Sequence, residues 1–225
     1  MKTILLLSFI IGFSCSQDVQ QQLSSEELTS WEARIAADGT HVLDAGNSGH
    51  KELIPILRKH LSAARTRDSD RRNTRMALAK LGDEQQLQAI ACDIWAGGQL
   101  EMQRAALEEI PYVGGWYSVQ IYRELLTPSA ETRFLKAKKS KDSDMTSVSP
   151  QWWGLISLPK VVPSPPLPSI DAGSSATQIQ QYTENWISWI QGHEDILKTL
   201  QPTGAGVDFS GKACKSKSRE RSINE

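Results

Sequence analysis

Cysteine is scarce in this chain of 225 residues, which has only Cys15, Cys92 and Cys214. So few cysteines cannot form the disulfide framework that replaces a hydrophobic core in small secreted domains. The chain also contains no CxxC, no Cys/His pair at zinc spacing and no HExxH segment. The sequence therefore predicts no metal site and no cofactor.

An excess of charge is also missing. The chain has 25 basic and 26 acidic residues, a net charge of -1 and 39% hydrophobic residues. Nucleic-acid binding normally shows as a basic excess, so this balance predicts no nucleic-acid partner. The hydrophobic content is sufficient for an ordinary core and argues against a disordered chain.

Long hydrophobic runs are absent except for the short segment from Ile4 to Phe13. This run is about half the length of a membrane span, and it follows the positive charge of Lys2. The pattern predicts a signal peptide over residues 1–16 and an exported protein, periplasmic or secreted, that begins at Gln17. A retained anchor or a lipidated Cys15 is the alternative, but the residues before Cys15 fit a lipobox poorly.

Removal of the signal peptide leaves Cys92 and Cys214 as the only thiols. The favoured interpretation places Cys92 on a helix as a small residue and Cys214 in a mobile tail. The alternative is one long-range disulfide, because the export compartment is oxidising.

The middle of the chain has the periodicity of amphipathic helices. Leu87, Ile90 and Ile94 belong to one such apolar stripe, and the spacing predicts helices from about Leu53 to Leu126. Gly82 is suited to end one helix, and Asp83 is suited to cap the next. The sequence therefore predicts a tight turn between antiparallel neighbours.

The same stripe recurs at a shift of 33 and then 32 residues. In this alignment Ile54, Leu57 and Leu61 match Leu87, Ile90 and Ile94, and then Val119, Tyr122 and Leu126. The following helix repeats as well: Arg72, Thr74, Leu78 and Gly82 match Arg104, Ala106, Ile110 and Gly114. A recurrence of this length predicts stacked helical units.

Two segments resemble HEAT repeats. Residues 51–57, with Pro55, are similar to the proline-bearing first helix, and residues 99–110, with an Ala-Ala-Leu run, are similar to the second helix. The Asp68-Ser69-Asp70 turn also resembles the acidic turn before such a helix, although Arg71 stands where an aliphatic residue is usual. The resemblance implies an all-α fold of the armadillo type, a short α-solenoid of antiparallel helix pairs, and a binding scaffold like small exported bacterial HEAT-repeat proteins.

The flanking segments complete the predicted domain organisation. Residues 17–128 hold the HEAT-like repeats behind an irregular N-terminal cap, and residues 129–174 form a lysine-rich and then proline-rich linker or strap. A C-terminal capping helix covers residues 175–201, and a disordered tail covers residues 202–225.

Two groups of side chains are candidates for partner binding. The first is a basic cluster whose members are Arg58, Arg65, Arg67, Arg71, Arg72 and Arg75. The cluster is either a solvated face paired with acids of the next repeat, such as Glu101, or a site for an acidic partner, to which the guanidinium group is suited. The second is the pair Trp152 and Trp153, which either anchors an interface or fills the groove beneath the proline strap.

No catalytic arrangement is evident in the sequence. The histidines, His41, His50, His60 and His193, have no acid or nucleophile at a spacing that a known catalytic motif requires. We therefore predict a non-catalytic exported scaffold that binds a protein or peptide, and no catalytic residues. The alternative is a HEAT-like lyase of the kind that attaches bilins to protein thiols, or its accessory subunit, and only analogy of fold supports it.

Overall fold

The structure is a computed structural model that describes residues 22–37, 41–63, 68–95, 100–135, 149–167, 170–171, 173–211 and 214. All regular secondary structure in these ranges is helical, as the periodicity predicts. The α-helices are α1 (Ser25–Ala37), α2 (His41–Ser48), α3 (Ile54–Ser62), α4 (Asp68–Lys80), α5 (Glu84–Trp95), α6 (Leu100–Val113), α7 (Gly115–Leu125), α8 (Pro128–Leu135), α9 (Pro150–Val161), α10 (Ala176–Gly192) and α11 (Glu194–Leu197). None of the described helices is long and apolar enough to cross a membrane. The predicted signal peptide lies outside these ranges.

The repeated apolar positions face the interior. Leu57 of α3, Ile90 of α5 and Tyr122 of α7 are fully buried, and so are Leu78 of α4 and Ile110 of α6. These positions lie on the buried faces of their helices, and α7 also buries Trp116, Tyr117 and Ile121 on its other sides.

The two helices that the repeat matches also end alike. Gly82 follows α4 with φ +89°, and Gly114 follows α6 with φ +70°. Glycine adopts this left-handed conformation without the steric cost that a side chain brings. The predicted helix ends are therefore confirmed, and Asp83 caps α5 by accepting a hydrogen bond from the Gln86 N–H at 3.1 Å.

The core has two adjoining parts that meet at α4. Ala77 and Leu78 belong to the part formed with α1, α2 and α3, whereas Ala79 belongs to the larger part formed by the helices that follow. Helix α4 contacts α2, α3, α5 and α6, and α6 in turn contacts α7 and α9. Helix α4 therefore connects the two parts of the core.

The predicted linker is partly helical. Residues 128–135 form α8, and residues 150–161 form α9, which includes Trp152, Trp153 and Pro159. Pro150 occupies the first turn, where its missing N–H costs nothing, and Ser149 caps the helix by accepting from the Trp152 N–H. Pro159 lies close enough to the end that the helix stops soon after it. These parts of the predicted linker or strap are therefore helical.

The C-terminal helix is broken where the sequence predicts continuity. Helix α10 begins with a full capping box between Ser175 and Gln178, and His193, with φ -121°, separates it from α11. Trp186 and Ile190 of α10 are buried in the larger core, and α10 packs on α9. Helix α10 therefore packs on α9, which lies in the segment predicted as a linker, and its role as the cap of a solenoid stays a prediction.

The segment after α11 is ordered as far as the structure describes it. Pro202 and Gly204 are buried, and Cys214 is bonded to Cys92 of α5 across a separation of 122 residues. The expectation of a disordered tail from residue 202 is wrong for 202–211 and for Cys214. The favoured interpretation of two unpaired cysteines is also wrong. Residues 215–225 lie outside the described ranges.

Candidate functional site

The arginines of α4 contact acidic residues inside the protein. Arg75 donates to both carboxylate oxygens of Glu109 on α6, at 2.9 and 2.7 Å, and it also bonds Asp93 on α5. Arg72 donates from Nε to Glu109 at 3.0 Å and from its terminal nitrogen to the carbonyl of Ala105 at 3.0 Å. One carboxylate thus receives two guanidinium groups, and Arg75 joins three helices.

Burial makes this network structurally important. The Glu109 side chain is 1% exposed, whereas the Arg75 side chain is 24% exposed. Burial raises the pKa of the Glu109 carboxyl even though Arg75 and Arg72 act in the opposite direction. Burial lowers the pKa of Arg75, but the Glu109 and Asp93 carboxylates outweigh it, so the net shift is upward. A buried carboxylate in this position depends on its arginine partners.

Arg58 has a similar role on α3. Its Nε donates to Asp83 at 2.7 Å, and the Asp83 side chain is 0% exposed. Asp83 therefore holds the start of α5 with one carboxylate oxygen and α3 with the other. Mutual pairing of charges at the joint between two helix pairs explains why this acid is buried.

The predicted basic cluster is thus divided. Arg58, Arg72 and Arg75 bind internal carboxylates, while Arg71 is exposed. The interpretation as charges paired with acids of the next repeat is correct for Arg72 and Arg75, but their partner is Glu109 rather than Glu101. Arg65 and Arg67 lie outside the described residues, as does the lysine-rich segment 136–141.

Trp152 and Trp153 are half-buried rather than fully exposed. Their rings meet edge to face with centroids 6.1 Å apart, and both pack against the larger core. An aromatic anchor for a partner is normally held by its own core and exposed enough to enter the partner's surface. These two rings are held by the core but are only partly exposed. Both rings belong to α9, and the proline-rich residues 162–167 follow that helix directly.

The C-terminal segment lies across α5, α7 and α8. The first-turn N–H groups of α7 donate to it, Trp116 to the carbonyl of Leu200 at 3.1 Å and Tyr117 to that of Pro202 at 3.0 Å. The amino end of a helix has unpaired donors, and here a distant segment of the chain satisfies them. No short-range pattern reveals this pairing, because the two residues of each pair are more than eighty positions apart in the sequence.

Side chains of the same helices also contact this segment, and sequence reasoning missed them. Gln88 donates to the carbonyl of Asp208 at 3.2 Å and accepts from its N–H at 2.7 Å. Gln120 donates to the carbonyl of Thr203 at 3.0 Å, and Arg133 donates to that of Phe209 at 2.7 Å. These residues carry no motif, because any polar side chain with an N–H donor reaches a main-chain carbonyl from the right place.

The histidines do not converge with nucleophiles. His193 is exposed, stacks on Trp189 with centroids 4.4 Å apart and lies with Nδ1 2.8 Å from the Trp189 carbonyl. His41 lies between Arg34 and Asp44 on the outer helices. The described part of the chain holds no group of three or more His, Cys, Asp or Glu residues arranged to bind a metal ion.

No protein-family model matches the chain, and neither the curated proteins nor the solved structures contain a significant match.

Proposed function

We propose that this protein is an exported, non-catalytic helical-repeat scaffold that binds a protein or peptide partner. The single observation that supports it most is the spacing of contacts between helices. Lys80 donates to Tyr112, Arg72 to Ala105 and Arg75 to Glu109, and these pairs are 32, 33 and 34 residues apart. All three contacts join α4 to α6, at separations that match the repeat length of the sequence.

The match between these separations and the repeat length of the sequence supports a short solenoid of the HEAT-like type. Because Arg72 reaches Ala105 and Lys80 reaches Tyr112, α4 and α6 run in the same direction with a constant offset. In the proposed arrangement α2, α4, α6 and α9 form one row, and α1, α3, α5 and α7 form the row behind it. Rows of this kind present extended surfaces that bind partners, and the last repeat needs a cap, which α10 supplies.

The surface along α4 and α6 is the proposed binding face. Met102 is 43% exposed, although it is large and apolar. Arg104 lies two residues after Met102 on α6, Arg71 lies on the neighbouring α4, and both are exposed. Arg104 also lies 3.5 Å from Glu108. An apolar side chain among exposed arginines suits an acidic protein with an apolar contact point.

The Cys92–Cys214 disulfide supports the exported location. Disulfides persist in oxidising compartments and are rare in the reducing cytosol. The same bond leaves no support for the lyase-type alternative at Cys92, and Glu109, the buried carboxylate, faces two arginines rather than a histidine.

Site-specific photocrosslinking tests the binding face. A photoreactive phenylalanine at position 102 should capture a partner from the exported fraction of the native source. The same residue at Gln181, exposed on α10, is the matched control and should capture none. With the captured partner purified, Arg71→Glu should weaken binding at least tenfold at low salt and less at high salt, because salt screens exposed charges. Equal capture at both positions would contradict the proposal.

A further inference from the structure

The C-terminal segment formed by residues 198–211 and Cys214 is held by its main chain. It is called the strap from here on, and it is distinct from the proline-rich linker. The groups that it offers to α5, α7 and α8 are the carbonyls of Leu200, Pro202, Thr203, Asp208 and Phe209 and the N–H of Asp208. The groups that bind them are two first-turn N–H groups of α7 and the side chains of Gln88, Gln120 and Arg133. A groove that binds main-chain groups in this way can hold a peptide through its backbone rather than through most of its side chains.

The groove also selects shape at three positions of the strap. A Cβ atom at Gly204, where φ is +64°, would lie 2.7 Å from the Tyr117 ring, and Gly211 has φ +74°, a conformation that favours glycine. Between them the Phe209 ring packs on Tyr117, with centroids 5.7 Å apart. The groove therefore fits a chain with glycine, phenylalanine and glycine at the spacing of residues 204, 209 and 211.

The strap has two attachments of different kinds. The near part is paired with the backbone of α7 and contains the buried residues Pro202 and Gly204. The far part, around Asp208 and Phe209, is held by the side chains of Gln88 and Arg133, by packing of Phe209 against the core and by the disulfide at its end. Loss of the disulfide leaves the far part with these hydrogen bonds and this packing.

We propose that the groove lined by Gln88, Trp95, Tyr117, Gln120 and Arg133 is a receptor for peptides of the pattern G-x4-F-x-G that turn at the first glycine, and that the strap occupies it while the Cys92–Cys214 disulfide holds it closed. The opening reaction is exchange with a dithiol: the two cysteines become thiols, and the dithiol becomes its cyclic disulfide. This inference rests on the proposed function, because it names a peptide class and a second binding surface for the same scaffold.

A trapping reaction tests the receptor. The full-length Cys214→Ser variant, in which Cys92 is free, is mixed with a synthetic peptide of residues 202–214 whose cysteine carries glutathione as a mixed disulfide. Attack of the Cys92 thiolate on the peptide sulfur forms the new disulfide and releases glutathione. Intact mass follows the adduct, and peptide mapping locates it on Cys92.

The expected result is an adduct that forms at least tenfold faster than with a scrambled peptide of the same composition and the same terminal cysteine. A Phe209→Ala peptide should react several-fold more slowly, whereas an Ala205→Ser peptide should match the native one, because Ala205 is exposed. The tethered strap competes equally with every peptide, so the ratios are unaffected. Equal rates for the native and scrambled peptides would overturn the receptor.

Hydrogen exchange tests the latch separately. In the Cys92→Ser/Cys214→Ser variant the exchange rate of the Asp208 amide should rise at least tenfold more than the rates of the Trp116 and Tyr117 amides, because global destabilisation acts on all three. An equal rise at the three amides, or no rise at Asp208, would overturn the latch. Failure of trapping with retained crosslinking at Met102 would remove only this groove, whereas successful trapping without crosslinking would remove the α4–α6 face.

Discussion

Removal of Arg75 should destabilise the fold far more than removal of its partner. In Arg75→Met the Glu109 carboxylate stays buried and keeps only Arg72 as a guanidinium partner. In Glu109→Gln, by contrast, Arg75 keeps Asp93 and is itself 24% exposed to water. Truncating one side of a buried pair leaves an uncompensated charge, so the direction of the truncation decides the cost.

The magnitudes follow from what is left unpaired. Arg75→Met leaves most of a buried negative charge uncompensated, which costs about 3 to 5 kcal/mol of unfolding free energy, and the retained Arg72 favours the lower end. Glu109→Gln loses hydrogen bonds from charged donors but leaves no buried charge, which costs about 1 to 2 kcal/mol. The difference of about 2 kcal/mol is well above the error of the measurement.

Urea unfolding followed by far-UV circular dichroism measures these changes, with Arg71→Met as the matched control. Arg71 is exposed on the same helix, so its substitution should change the free energy by about 0.5 kcal/mol or less. A cost of Arg75→Met no greater than that of Arg71→Met would refute a structural role for the network. A larger cost for Glu109→Gln than for Arg75→Met would refute the argument from burial.

Three further outcomes are expected. Gly114→Ala should lower the free energy of unfolding by about 1 to 2 kcal/mol, because its φ is +70° although the space around it is open. Gly115→Ala should lower it more, because its Cβ would also overlap the backbone of Pro202. Thermal melts of the two variants compare these losses. Replacing Cys92 and Cys214 by serine should lower stability by up to about 4 to 5 kcal/mol, since the bond closes a loop of more than a hundred residues; the wild type in reducing agent should show the same loss, and no loss would contradict the disulfide. The exported protein should have the intact mass of a chain that begins at Gln17, and a lipid-modified mass would contradict this.

The helices and their buried faces were predictable because they depend on short-range physics. A helix that buries one face must place an apolar residue every three or four positions, so Leu57, Ile90 and Tyr122 show the same stripe without any knowledge of their neighbours. The ends of α4 and α6 were predictable for the same reason, since Gly82 and Gly114 adopt a conformation that glycine favours.

The role of the arginines was only half predictable. Helical geometry places Arg71, Arg72 and Arg75 on one side of α4, and Arg71 and Arg75 point within about 40° of each other because they are four positions apart. Arg75 nevertheless binds Glu109 on α6, whereas Arg71, one turn earlier along α4, is exposed. The sequence shows three equivalent charges, and only the position of α6 distinguishes them.

The strap was mispredicted because its composition and its environment point in opposite directions. Glycines at 204 and 211 and a final run of lysine and serine are typical of disorder, since such residues bury little apolar surface. In this fold Gly204 permits close approach to the Tyr117 ring, and Gly211 adopts a φ of +74° that favours glycine. The first turn of α7 supplies N–H donors that bind main-chain carbonyls of the segment. A segment bound through its backbone leaves little trace in its side chains, so its order depends on the surface that receives it.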